Sequence, residues 1–162
     1  VGIFRIAKRL VEPITYIISV LTPLVQNQLS KESLRVNFSD LVKNFLLPLS
    51  TIIIIPYVYF GENLINLISG SSFLDAYEPM LVLTIGYIIY LNTFWIRQLL
   101  LFSNLIQYHA VSRLISLVVF ILASLFFVDQ FDAVGIAIAL SLSMVVQKIY
   151  EFYSFNKYSE QN

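Results

Sequence analysis

No cysteine occurs in these 162 residues, which excludes disulfides, thiolate metal sites and cysteine nucleophiles together. The single histidine, His109, cannot make a zinc site by itself. Charge is scarce as well: 12% of the residues are Asp, Glu, Lys or Arg, against about 25% in an ordinary soluble domain. So few charges cannot cover the surface of a globule this size, so another solvent must face much of it. Lipid is that solvent. Formal net charge is zero, so nothing global draws the chain to nucleic acid. Walker-type loops, HExxH, GxSxG and DxD pairs are all missing, and no carboxylate in the charged connectors stands beside a histidine. No enzymatic constellation is visible, and no metal or cofactor is expected. A basic, apolar and small-residue leader series is also lacking. The chain opens on Val1-Gly2-Ile3-Phe4-Arg5 and reads as the C-terminal portion of something longer, inside the membrane from its first residue.

What is present is apolar: 58% of residues are hydrophobic and mean hydropathy is +0.80. A helix needs about 20 mostly apolar residues to cross about 30 Å of hydrocarbon. Five segments qualify: 6–28, 45–60, 80–102, 110–128 and 134–155. The expected fold is therefore all-α, a polytopic transmembrane bundle of about five helices forming a single domain over 1–162. The connectors are 27–44, 61–79, 103–109 and 129–133. In the second of them, Leu64, Ile65, Leu67 and Ile68 suggest a helix continuing along the interface.

No Lys or Arg lies between Lys43 and Arg97, or between Arg113 and Lys148. Those two gaps hold Glu62, Asp75, Glu78, Asp129 and Asp132 instead. Because basic residues favour cytoplasmic loops, Lys31, Arg35, Lys43, Arg97, Arg113, Lys148 and Lys157 place the first connector, third connector and C-terminus inside. Tyrosines fit two interfacial belts, Tyr57, Tyr59 and Tyr77 outside and Tyr108, Tyr150, Tyr153 and Tyr158 inside. Small residues recur four apart at Gly135, Ala139 and Ser143, and at Ala133, Ala137 and Ser141. That spacing lets another helix approach closely.

The first helix breaks the charge rule. By that orientation it begins outside, yet it carries Arg5, Lys8 and Arg9. At 100° per residue these three and Glu12 share a wedge of roughly 100°, and Tyr16, Ser19, Pro23 and Gln26 continue the same face, with Thr15 and Thr22 at its margin. Ile6, Ala7, Leu10, Ile14, Ile17, Ile18, Leu21 and Val25 occupy the opposite side. A stripe of this length cannot face acyl chains, since a charge at the bilayer centre costs at least ~2.5–3.5 kcal/mol. Two readings follow. The cations anchor the helix end, with Glu12 pairing Arg9 or Lys8, or they bind an anionic group such as a phosphate entering from a cavity. Arg97, near Asn92, Thr93 and Gln98, reads more as an anchor than a substrate contact. His109 and Arg113 read as interfacial, and Gln147 as a hydrogen-bonding bridge between helices. Glu12 is the only acid placed well within an expected span.

Placed on these helices, several runs resemble one family. Val1-Gly2-Ile3-Phe4-Arg5-Ile6-Ala7-Lys8-Arg9-Leu10 with Leu21-Thr22-Pro23-Leu24 is similar to the eighth transmembrane helix of bacterial lipid-linked oligosaccharide flippases. These are the O-antigen translocases (Wzx-type) of the multidrug/oligosaccharidyl-lipid/polysaccharide exporter superfamily. Ile68 to Ala76 resembles the short segment before their tenth helix, Arg97-Gln98-Leu99-Leu100 its close, and Asp132 to Ala139 the Gly-x-x-Gly-x-Ala run entering the twelfth, with Ala133 in place of the first glycine. The resemblance implies most of the second six-helix lobe of a twelve-helix exporter fold in a bacterial inner membrane. It also implies alternating access that moves an undecaprenyl-pyrophosphate-linked oligosaccharide outward for O-antigen or capsule biosynthesis. Implied partners are that lipid-linked substrate, membrane lipid, the remaining N-terminal helices and the polysaccharide polymerase machinery. Arg5, Lys8, Arg9, Glu12, Tyr16, Ser19, Gln26 and Arg97 become the cavity candidates. A drug or metabolite exporter of the same fold, a membrane glycosyltransferase or polymerase, and a scaffold subunit are the other readings. With an acid lying only among cations, the anionic substrate is favoured over the cation-coupled drug exporters.

Overall fold

The computed structural model describes residues 2–30 and 42–158, and every regular element among them is helical. Helix α1 covers Gly2–Val11 and α2 covers Pro13–Ser30. A π-helical turn, Val42–Leu46, leads into α3, Leu47–Ser69. After Gly70 a 3₁₀ segment, Ser71–Ala76, opens onto α4 (Tyr77–Thr93) and α5 (Trp95–Phe102), and α6 runs from Ile106 to Tyr158. Three helical stretches are long and apolar enough to cross a membrane: Asn44–Ser69, Ser71–Phe102 and Ile106–Tyr158.

The third stretch has 53 residues, which at 1.5 Å per residue is roughly 80 Å of helix, far more than one bilayer. It does not run straight. Asp132 has φ 46° and ψ −117°, and the chain doubles back there into arms 106–131 and 133–158. His109 meets Glu151 across 42 residues of sequence, so the arms lie antiparallel. The turn demands a glycine: a Cβ at Gly135 would run into the Phe127 carbonyl. The segments expected as separate spans over 110–128 and 134–155 thus lie within one long helix folded on itself.

The segment expected to span at 6–28 is not among the three. Its polar flank keeps it below their apolarity, and it is broken. Pro13 has no N–H, so the ladder cannot pass through it. Thr15 instead gives both its N–H (2.8 Å) and its hydroxyl (2.6 Å) to the Glu12 carbonyl. Beside the break the Tyr57 hydroxyl donates to the Leu10 carbonyl at 2.8 Å. Despite the break, α1 and α2 together run the length of the bundle. Gly2 lies near Phe73 at one end, and Gln26 Nε2 donates to Gln98 Oε1 at 3.0 Å near the other.

Helix α4 is the central element. Met80, Leu83, Tyr87, Ile88 and Leu91 are buried on it, packed with Ala7, Val11, Ile14 and Ile18 of the first two helices and Ile65 of α3. Its tightest approach is to the second arm of α6. Ser141 Oγ donates to the Val82 carbonyl at 3.0 Å, and a Cβ on Gly86 would stand 2.8 Å from the Ser141 Cβ. The small-residue stripe does this packing: Ala137 and Ala139 are fully buried and Ser143 is 2% exposed.

These contacts sort the charges by end. Arg5, Lys8 and Arg9 share an end with the 3₁₀ segment and with the Asp132 turn. Glu62, Asp75, Glu78, Asp129 and Asp132 lie at that end too. Arg97, Arg113, Lys148 and Lys157 lie at the opposite end, where Glu151 is the one acid among the described residues. Lys31 and Arg35, expected in the same group, fall outside the described residues.

Candidate functional site

Helix α1 has two sides. Ala7 and Val11 are fully buried against α4, while Arg5, Lys8 and Arg9 are exposed. The 3–4 spacing of the apolar positions turns one face inward and leaves the cations outward. Among the described residues none of the three makes an ion pair. Glu12 does not neutralise them either: the expected pairing with Arg9 or Lys8 is not formed among the described residues. Arg9 borders a cavity of about 460 Å³ between the first helices and α3, shared with Leu10, Pro13, Tyr57, Ile68 and Ser69. Its walls are apolar apart from the guanidinium and two hydroxyls.

The expected continuous polar flank does not line one hollow. Its members meet different neighbours, although the buried positions Ala7, Val11, Ile14, Ile18 and Val25 keep helical spacing through Pro13. Ser19 joins Thr15, Thr22, Tyr90 and Arg97 around a second cavity of about 390 Å³. Tyr16, 68% exposed, instead borders an apolar hollow with Val20, Phe45 and Leu49. Gln26 turns to Gln98. Ser19 and Thr22 satisfy their hydroxyls on the Tyr16 and Ile18 carbonyls, a common way for hydroxyls to sit inside a membrane helix. Arg97, expected mainly as an anchor, is exposed and sits beside Ser19 in that second cavity.

A second constellation lies between the arms of α6. The Glu151 side chain is completely buried and Lys148 is 4% exposed. Lys148 Nζ donates to Glu151 Oε2 at 2.7 Å and sits 4.6 Å above the Tyr90 ring. Glu151 Oε1 accepts from Gln147 Nε2 at 2.9 Å and lies 2.7 Å from His109 Nδ1. At that separation from a carboxylate, Nδ1 carries the proton. Ser112 Oγ is 2.9 Å from Oε1 and 2.7 Å from the His109 carbonyl, sharing one proton between them. A buried carboxylate with this many donors is fully satisfied.

This cluster bears on three expectations. Glu151, and not Glu12, is the acid fully buried in the fold. His109, expected as interfacial, is part-buried, its side chain 12% exposed, and is a partner of the next arm. Gln147 bonds within its own helix, and the bridge between arms is made by His109 and Ser112. The available signal was the spacing of Gln147, Lys148 and Glu151 on one face of a helix that is otherwise apolar. No match to the chain was found among family models, curated proteins or solved structures. The functional reading rests on these side chains. No group of three metal-ligating side chains occurs among the described residues.

Proposed function

We propose that this chain belongs to a membrane transporter that passes an anionic, lipid-linked substrate. Its most specific form is a flippase for undecaprenyl-pyrophosphate-linked oligosaccharide in a bacterial inner membrane, without a catalytic step of its own. The supporting observation is the set of three unpaired cations on one face of a broken helix, one of them, Arg9, bordering a cavity with hydrophobic walls. Such a place suits a ligand with a charged phosphate and an apolar tail. The guanidinium offers paired donors to phosphate oxygens, and the apolar wall lowers competition from water. The short succession of runs resembling the flippase helices points the same way. The orientation that fits the basic residues sets the C-terminus in the cytoplasm and the cavity toward the outer face, where such a substrate would be delivered.

Glu151 bears on the competing exporter reading. A cation-coupled drug exporter needs an intramembrane carboxylate open to its ion, whereas every donor around Glu151 is already committed. The Glu12 carboxylate is in no ion pair among the described residues, but it stands within a turn of Lys8 and Arg9, and these cationic surroundings together with the committed Glu151 favour the anionic substrate. Charge reversal tests the proposal. Arg9→Glu is expected to abolish surface polysaccharide in a strain relying on this protein, with membrane insertion unchanged, and Arg9→Lys to retain much of it. Normal polymer from Arg9→Glu would remove the cavity assignment.

A further inference from the structure

The largest hollow described lies on another side of the bundle, away from Arg9. A groove of about 600 Å³ runs between α4 and α5 and the second arm of α6, with Ile89, Trp95, Val145, Ile149, Phe152 and Tyr153 among its walls. That volume is within the roughly 300–1,000 Å³ of ordinary ligand sites. Its outer lip is exposed: Ile149 is 63%, Phe152 48% and Tyr153 59% accessible. Both walls belong to stretches long and apolar enough to cross a membrane, so in a bilayer the lip would face hydrocarbon.

We infer that this groove binds one acyl chain of an anionic phospholipid, whose headgroup rests against Lys157. Three observations lead there. Along the second arm the lining extends from Val145 to Asn156, which at 1.5 Å per residue is roughly 17 Å. That is about half of a 30 Å hydrocarbon core, the depth of a single leaflet. The groove ends at the aromatic and basic rim. Tyr153 is at its lip, and Lys157 Nζ stands 5.8 Å from the Tyr153 ring and 5.1 Å from that of Tyr158. Lys148 lines the groove, and this end of the bundle is electropositive. Lys157, Arg97 and Arg113 make no ion pair among the described residues, and Glu151, the one acid described at this end, is taken up by Lys148. Basic pockets between membrane helices at this level bind anionic headgroups, each Lys or Arg contributing about fivefold in affinity. A zwitterionic headgroup gains little from the same charges. The inference requires only that the chain spans a bilayer, and it stands apart from the transport reading.

Trp95, the sole tryptophan of the chain, sits in the groove wall and reports on what fills it. The full protein is placed in phosphatidylcholine vesicles containing a small fraction of phosphatidylglycerol or phosphatidylcholine with brominated chains, and Trp95 quenching is recorded. A Trp95→Phe variant identifies the signal from this residue. The brominated phosphatidylglycerol is expected to quench at lower mole fraction, and Lys157→Gln to reduce that preference by about fivefold. Three results would overturn the inference. One is equal quenching by both lipids, meaning ordinary bilayer contact. Another is quenching by neither, meaning that protein covers the groove. The third is a preference that survives Lys157→Gln.

Discussion

Glu151 ties the second arm of α6 to the first through His109 and Ser112. It is fully buried and meets Lys148, Gln147, Ser112 and His109, and its loss leaves an ammonium ion 4% exposed without a counter-charge. Breaking one side of a buried pair costs about 3–5 kcal/mol, whereas replacing both partners by apolar groups is often close to neutral. Glu151→Ala is therefore expected to lower the melting temperature in detergent sharply. The double change Glu151→Leu with Lys148→Met should regain at least part of that loss. Unaltered melting of Glu151→Ala would mean the ion pair does not form in the protein. Sequence periodicity could place Lys148 and Glu151 on one helix face. It could not bring in His109, because that contact depends on where the chain folds back. The three cations of α1 were legible as a face from their spacing alone, since helix geometry fixes which positions share a side.

At the scale of elements, the close contact of α4 with the second arm rests on Gly86 opposite Ser141. A methyl group at position 86 would lie 3.0 Å from the Ser141 backbone Cα, and backbone yields less readily than a side chain. Overpacking of this kind costs about 1–3 kcal/mol, so Gly86→Val should be destabilised by that amount and melt earlier. Pairing a smaller change, Gly86→Ala, with Ser141→Gly should be better tolerated than Gly86→Ala alone. An unchanged Gly86→Val would indicate that the two helices stand farther apart. The fold-back at Asp132 offers a gain. Its φ of 46° with ψ of −117° suits glycine and few other residues. Asp132→Gly is expected to leave stability unchanged or raise it by a few tenths to about 1 kcal/mol, and Asp132→Val to lower it. Equal melting of the two variants would contradict the turn. The break at Glu12 belongs to this scale too. Proline was visible in the sequence, but not which neighbours would divide the polar flank between separate hollows. The buried positions Val11, Ile14 and Ile18 keep their spacing through the break, so the flank is parted by the neighbours each stretch meets, Tyr57 and Ile68 of α3 beside Arg9, and Tyr90 and Arg97 beside Ser19.

For the whole molecule, the distribution of charge between two ends is the property that meets the membrane. Asp129 lies at the acidic end and Lys157 at the basic one, with apolar side chains such as Leu114, Leu122 and Leu125 exposed between. Because the chain has no cysteine, single cysteines can be read without background. Asp129→Cys and Lys157→Cys should react with an impermeant maleimide from opposite sides of intact cells, the second only after the membrane is opened. Labelling of both from one side would exclude the arrangement. Membrane class, helical content and the side of α1 turned toward the core followed from composition and 3.6-residue periodicity, which depend on local geometry and solvent preference alone. The long helix folded on itself, the burial of Glu151 against His109, and the two lined hollows beside Arg9 and Arg97 were decided by the tertiary structure. Each depends on which helices become neighbours, and contacts between residues 42 or 72 positions apart leave no periodic trace in the chain.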